Sequence, residues 1–158
     1  MLRIENNENF ETCKRCGGQC CKNCAGIYHP DEILKLPDHI IKQMFESKLL
    51  AVDTWDGDPR DEYEEDKELY RVYYFRPRHK NEDHIVSESW GGECVHLTET
   101  GCSLAFKDRP YQCRALIPGE ERCTWEPECE KRFVSVLYIP HQDKIEELIK
   151  PYKQAIEA

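Results

Sequence analysis

The chain has 158 residues, a formal net charge of −9 and ten cysteines. Its length fits one domain, 1–158, and its 39% hydrophobic residues include those cysteines, so an oily core can form but is thin. The acidic balance argues against nucleic acid as the main partner, because phosphate binding needs a concentrated positive face; only Arg71, Arg76, Arg78, His79 and Lys80 could form a local basic patch.

Residues 1–7 lead into polar sequence without the apolar stretch of a signal peptide, which predicts a cytoplasmic chain. The longest apolar runs are too short to span a bilayer, so no membrane partner is expected. In a reducing compartment, many cysteines point to metal or redox chemistry more than to disulfides. Metal–thiolate bonds would also give a thin core the cohesion it lacks, since binding to a site absent from the unfolded chain adds to folding free energy.

The first cysteine group is Cys13, Cys16, Cys20, Cys21 and Cys24, with Gly17 and Gly18 letting the backbone wrap closely. Pro30 to Leu36 then reads as a short helix with acids in its first turn. Pro37-Asp38 opens a second helix, whose Ile40, Ile41, Met44 and Phe45 share a face and predict core packing. Residues 53–68 are acidic and lack the alternating ligand spacing of a calcium loop, so they predict a solvated loop. Leu69 to Phe75, rich in Tyr and Val, predicts a strand. Val95–Leu97 and Ser103–Phe106 flank Thr98 to Gly101 and suggest a hairpin. Phe133 to Ile139 reads as a further strand. From His141, the spacing of Ile145, Leu148, Ile149, Tyr152 and Ile156 predicts an amphipathic C-terminal helix over 141–157, kinked or interrupted at Pro151.

The cysteines carry the chemistry. Five occupy positions 13 to 24, none occurs in the next 69 residues, and five follow at Cys94, Cys102, Cys113, Cys123 and Cys129. The simplest fold joins two metal-binding segments, 10–24 and 94–129, with 25–93 as a covering insertion. Cys13-x2-Cys16 and Cys21-x2-Cys24 are natural chelates, because two intervening residues form a turn that aims both sulfurs at one ion. In extended backbone Cys20 and Cys21 would face opposite ways, which leaves room for one centre or two. The Thr98–Gly101 turn could bring Cys94 and Cys102 together. Arg109 and Arg114 flank Cys113, where positive charge would lower the thiol pKa and offset a cluster's negative charge; ordinary pairing with carboxylates is the competing role. His96 is the best placed histidine for an additional ligand, against a plain core or surface role. The spacing matches neither the bacterial ferredoxin run nor a zinc ribbon, and Asn23 stands where a radical SAM triplet would need cysteine. No catalytic triad, paired catalytic carboxylates or phosphate loop is present.

Taken together, Cys13-x2-Cys16-Gly-Gly-x-Cys20-Cys21, Gly92-Glu93-Cys94-Val95-His96-Leu97, Gly101-Cys102-Ser103-Leu104 and Arg109-Pro110-x-x-Cys113-Arg114 resemble the YkgJ-type cysteine-cluster family. That family is also described as the zinc- or iron-chelating CxxCxxCC domain. The Asp31-Glu32-Ile33 helix is similar to it as well, and the resemblance covers roughly residues 10 to 125. It implies eight metal-binding cysteines: Cys13, Cys16, Cys20, Cys21, Cys94, Cys102, Cys113 and an eighth, Cys123, with Cys129 as competitor and Cys24 extra to the pattern. Members are labelled iron–sulfur proteins, which implies a cluster, 4Fe-4S by expectation, with zinc as the alternative.

The expected fold class is α+β, a small irregular metal-stabilised domain with short helices and a hairpin around a cysteine cluster. The expected function is metal binding, with an iron–sulfur redox or electron-transfer role and a protein or redox partner. A zinc-stabilised structural or partner-binding module is the alternative, because four thiolates suit both metals. A third reading is a cluster-dependent modifying enzyme, similar to the domain found in flagellin lysine methylases. The long stretch between Cys24 and Cys94 departs from the compact family pattern.

Overall fold

A computed structural model describes residues 26–56, 59, 71–80, 82–87, 92–99, 101–115 and 130–157. Its centre is an antiparallel pair, β1 (Leu50–Asp56) and β2 (Arg71–Pro77), in a register that places Leu50 opposite Pro77 and Asp56 opposite Arg71. Val52, Val72 and Phe75 are branched or aromatic side chains that suit a pleated surface, and all three are fully buried. Both faces of the pair are covered along most of its length, as the burial of Ala51 beside Val52 and of Tyr74 beside Phe75 requires. At one edge Val52 meets the 85–87 segment, donating to the Ile85 carbonyl at 2.8 Å and accepting from Ser87 N–H at 2.9 Å.

Helices close over this pair. α1 (Pro30–Leu34) follows a His29 cap, whose Nδ1 accepts from Asp31 N–H while Glu32 accepts from His29 N–H, with Pro30 preset for the first turn. α2 (Asp38–Glu46) buries Ile41 and Phe45 against the core, and Met44 packs beside them, as the helical spacing predicts. Two-residue strands β3 (Leu97–Thr98) and β4 (Gly101–Cys102) make a small hairpin, tighter than the Val95–Leu97 and Ser103–Phe106 limits read from the sequence. α3 (Tyr111–Arg114) is a single turn of helix, followed after the 116–129 stretch by α4 (Lys131–Val136) and α5 (Gln142–Glu157). α5 buries Ile145, Leu148 and Ile149, and it runs through Pro151 as one helix although proline removes one ladder bond. The architecture is α+β.

Four sequence expectations change. Phe133 to Ile139 is not a strand: residues up to Val136 lie in α4, and Ile139–His141 form a 3-10 turn. Burial of Val134 and Tyr138, four apart, satisfies a helical period, so the β-prone composition yields to packing on β2. Asp53 to Asp56 belongs to β1 rather than to a solvated loop, and the rest of that acidic stretch, 57, 58 and 60–68, lies outside the described residues. The basic stretch is not a surface patch, because Arg76, Arg78 and His79 are buried. Arg76 meets Asp53 at 2.9 Å and Glu82 at 2.8 Å, while Arg78 donates to the Phe45 and Leu50 carbonyls. Residues of the 25–93 stretch supply the central pair and much of the core, so this segment does more than cover. Among the described residues no helix is long and apolar enough to cross a membrane.

Candidate metal centre

Cys94, Cys102 and Cys113 lie within the described residues; Cys13, Cys16, Cys20, Cys21, Cys24, Cys123 and Cys129 lie outside them. Cys94 is carried by an extension of the central pair. Past Pro77, the chain bridges His79 to Cys94, Val95 N–H donates to the Arg78 carbonyl at 2.9 Å, and Lys80 N–H donates to the Glu93 carbonyl at 2.7 Å. Gly92 is required here, since a Cβ would stand 2.9 Å from the His79 ring. Cys102 faces Leu97 across the small hairpin, and Lys80 Nζ braces it by donating to Glu93 and the Leu97 carbonyl at 3.0 and 2.9 Å. The hairpin itself carries Cys102, while Cys94 lies just before it, on the bridge to His79.

Cys113 sits on α3, which is docked against the chain that leaves the first cysteine group. Ile27 and Gln112 exchange two hydrogen bonds: Ile27 N–H donates to Gln112 Oε1 and Gln112 N–H to the Ile27 carbonyl, each at 3.0 Å. Approach is so close that a Cβ on Gly26 would collide with Cys113 Sγ and lie 3.2 Å from Cys113 N. Only glycine leaves room for that thiol. Gly26 follows Cys24 by two residues in sequence, and Cys24 itself lies outside the described residues.

Tyr28 links residues 26–29 to β2 and to Tyr138. Its N–H donates to the Phe75 carbonyl at 3.0 Å, and its own carbonyl accepts from the buried Tyr138 hydroxyl. Burial pushes the Tyr28 hydroxyl above its ordinary 10, and negative charge on Cys113, Glu32, Cys94 and Cys102 pushes it further. Among the described residues, no group of three His, Cys, Asp or Glu side chains could hold a metal ion by itself.

The two arginines beside Cys113 support its turn. Arg109 Nε donates to the Leu104 carbonyl at 3.0 Å, and Arg114 Nε donates to the Arg109 carbonyl at 3.1 Å. Arg114 also meets Glu32 Oε2 at 3.3 Å, the carboxylate pairing named as its competing role. His96 is half-buried; burial holds its imidazole below the ordinary 6.5, and its carbonyl accepts from Ser103 N–H at 2.8 Å. Sequence reasoning missed Gly26, Tyr28, Glu32 and Gln112 as parts of this region. Gln112 lay in a variable slot of Arg109-Pro110-x-x-Cys113; Glu32 read as a first-turn acid of a helix that resembles the family, with no contact to the Cys113 turn expected of it.

Comparison with family models, curated proteins and solved structures gives no match to this chain.

Proposed function

We propose that this chain is a metal-binding protein of the YkgJ type, carrying an iron–sulfur cluster with a redox or electron-transfer role. The observation that supports this reading most is the approach of Gly26, two residues after Cys24 in sequence, to Cys113 of the second cysteine group. The donor chemistry fits: the chain offers ten cysteines, and thiolate is the ordinary ligand of iron–sulfur clusters. Cys94, Cys102 and Cys113 do not make a three-ligand site with any described neighbour. A complete centre would therefore draw further thiolates from Cys13, Cys16, Cys20 and Cys21, with Cys123 as the eighth ligand. Bound cluster would supply one-electron chemistry. Of the chain's own residues, Arg109 and Arg114 would brace the Cys113 turn.

The test is anaerobic purification followed by an absorption spectrum and iron, sulfide and zinc analysis. A brown protein with a broad band near 400 nm and stoichiometric sulfide supports the reading. A colourless protein that holds zinc alone after anaerobic preparation replaces it with a zinc-stabilised module. Binding of neither metal rejects both.

A further inference from the structure

β1 lies along one edge of β2, and the other edge is closed by different means. Along a strand in an antiparallel pair, alternate residues turn their N–H and C=O groups to opposite edges. Tyr73 and Phe75, two apart, both bond away from β1: the Phe75 carbonyl accepts from Tyr28 N–H at 3.0 Å, and Tyr73 meets α5. Among the described residues this sheet has two strands, so Tyr73 finds a side chain where a third strand would lie. Tyr73 N–H donates to Gln142 Oε1 at 2.8 Å, and Gln142 Nε2 donates to the Tyr73 carbonyl at 3.0 Å. A primary amide offers an acceptor oxygen and two N–H donors, and these two bonds are the pair that a residue of an antiparallel strand would exchange with Tyr73. Nε2 also donates to the Tyr138 carbonyl at 2.9 Å, which fixes the orientation of the amide. Gln142 opens α5, and further along that helix Lys153 Nζ donates to the Tyr73 hydroxyl at 2.7 Å. Holding α5 in place needs neither contact, because Ile145, Leu148 and Ile149 already bury one face of it. Unpaired N–H and C=O groups on a sheet edge are a template for another chain, and lysine beside an edge is a common protection against it.

We propose that Gln142 is an edge guard: its amide takes the strand-pairing position on Tyr73 and so keeps β2 from pairing with β2 of a second copy of this chain. A second copy is the partner because the guarded position complements itself. Two antiparallel β2 strands centred on Tyr73 would exchange the same N–H and C=O bonds across a twofold axis. Val52 on the opposite edge of the sheet is already paired with the 85–87 segment, so pairing through β2 closes at a dimer instead of running on into a filament. No cysteine takes part, and the guard operates whether or not the chain binds metal.

The experiment compares wild type, Gln142→Ala, Gln142→Glu and the core variant Ile149→Val in the full chain, kept anaerobic and reduced so that no disulfide joins two copies. Sedimentation equilibrium over a range of concentrations gives the association state, and hydrogen exchange followed by NMR gives the protection of the Tyr73 amide. Ile149→Val loosens the packing of α5 while leaving the Gln142 amide in place. Expected are monomers with a protected Tyr73 amide for wild type and Ile149→Val. In dilute Gln142→Ala the Tyr73 amide should exchange about tenfold faster, the worth of one hydrogen bond. On concentration Gln142→Ala should form a dimer that dissociates on dilution and in which Tyr73 is protected again. Gln142→Glu keeps an acceptor for Tyr73 N–H but has no donor for its carbonyl, so its dimer should be weaker than that of Gln142→Ala. Gln142→Ala that stays monomeric at every concentration overturns the proposal, as does a dimer in which Tyr73 remains unprotected. Association of wild type or Ile149→Val as strong as that of Gln142→Ala overturns it as well. Should Gln142→Ala not fold, Gln142→Glu against Ile149→Val decides on the same two measurements.

Discussion

Replacing Arg76 by Met tests whether the central pair depends on a buried charge. Arg76 is fully buried and makes four hydrogen bonds: Nε to Asp53 at 2.9 Å, a two-pronged contact with Glu82 at 2.9 and 2.8 Å, and one to the Pro77 carbonyl at 3.0 Å. Met approximates the side-chain volume, so the cavity cost is small and the electrostatic loss dominates. Stranding a buried charge by removing its partner costs about 3–5 kcal/mol. The Glu82 carboxyl gives a second route to the number. Burial alone would raise its pKa, but the Arg76 hydrogen bonds and charge, with His79 N–H, bring it from 4.5 down to about 2. That difference corresponds to about 3 kcal/mol, in agreement with the first figure. A lowered carboxyl pKa stabilises the fold fully above the unfolded value of 4.5, and this stability is lost as pH falls from 4.5 towards about 2. Denaturant titrations by circular dichroism should therefore show Arg76→Met about 3 kcal/mol less stable at pH 7, with the gap to wild type closing towards pH 2. Acid release of bound metal would affect both proteins, so the gap is the quantity to read. Adding Glu82→Gln to Arg76→Met should recover part of the loss by removing one stranded charge. A pH-7 gap under about 1 kcal/mol, or one unchanged by acid, would refute the reasoning.

Gly26→Ala should destabilise the chain by about 1–3 kcal/mol and lower its metal content, because the new Cβ collides with Cys113 Sγ; wild-type unfolding and metal content would show that the two cysteine groups do not meet there. Cys16→Ser and Cys113→Ser should each reduce bound metal and thermal stability together, and full metal retention in both would reject the ligand assignment. Tyr138→Phe should cost about 1–3 kcal/mol in denaturant titration, since the buried Tyr28 carbonyl loses its hydroxyl donor; a loss within about 0.5 kcal/mol would mean that water or another donor replaces it.

Elements with a strong period were legible in the sequence, and those whose stability comes from distant partners were not. The spacing of Ile41 and Phe45, and of Ile145, Leu148 and Ile149, announced α2 and α5 because each helix has one face to bury. β1 escaped notice because Asp53 stands inside it, and an aspartate in a strand reads as solvent-facing. Its partner Arg76 is 23 residues away, and only the β1–β2 register brings the two together. The same pairing made Arg76 look like part of a basic surface, when two carboxylates draw it inward. Phe133 to Ile139 misled for the opposite reason: a run of apolar and β-branched residues suits either period, and the choice fell to how α4 packs on β2.

The cysteine region divides along the same line. Sequence spacing could find the hairpin that carries Cys102, because a local turn does the work. It could not reveal that Gly26 admits the Cys113 thiol, nor that Ile27 pairs with Gln112 across 85 residues. These contacts are non-local and use residues with no chemistry of their own to advertise: a glycine, a glutamine, and a glutamate already explained as a cap. Their common effect is geometric. They bring α3 against the chain that emerges from the first cysteine group before any metal is considered. A shared centre assembled on this frame would need less ordering than one formed from two independent loops, since α3 and residues 26–29 are already joined through Glu32, Gln112 and the central pair. Metal affinity should then follow the integrity of that frame as well as the number of thiols, and so substitution at Gly26, which removes no ligand, is the sharper probe of how the site is built.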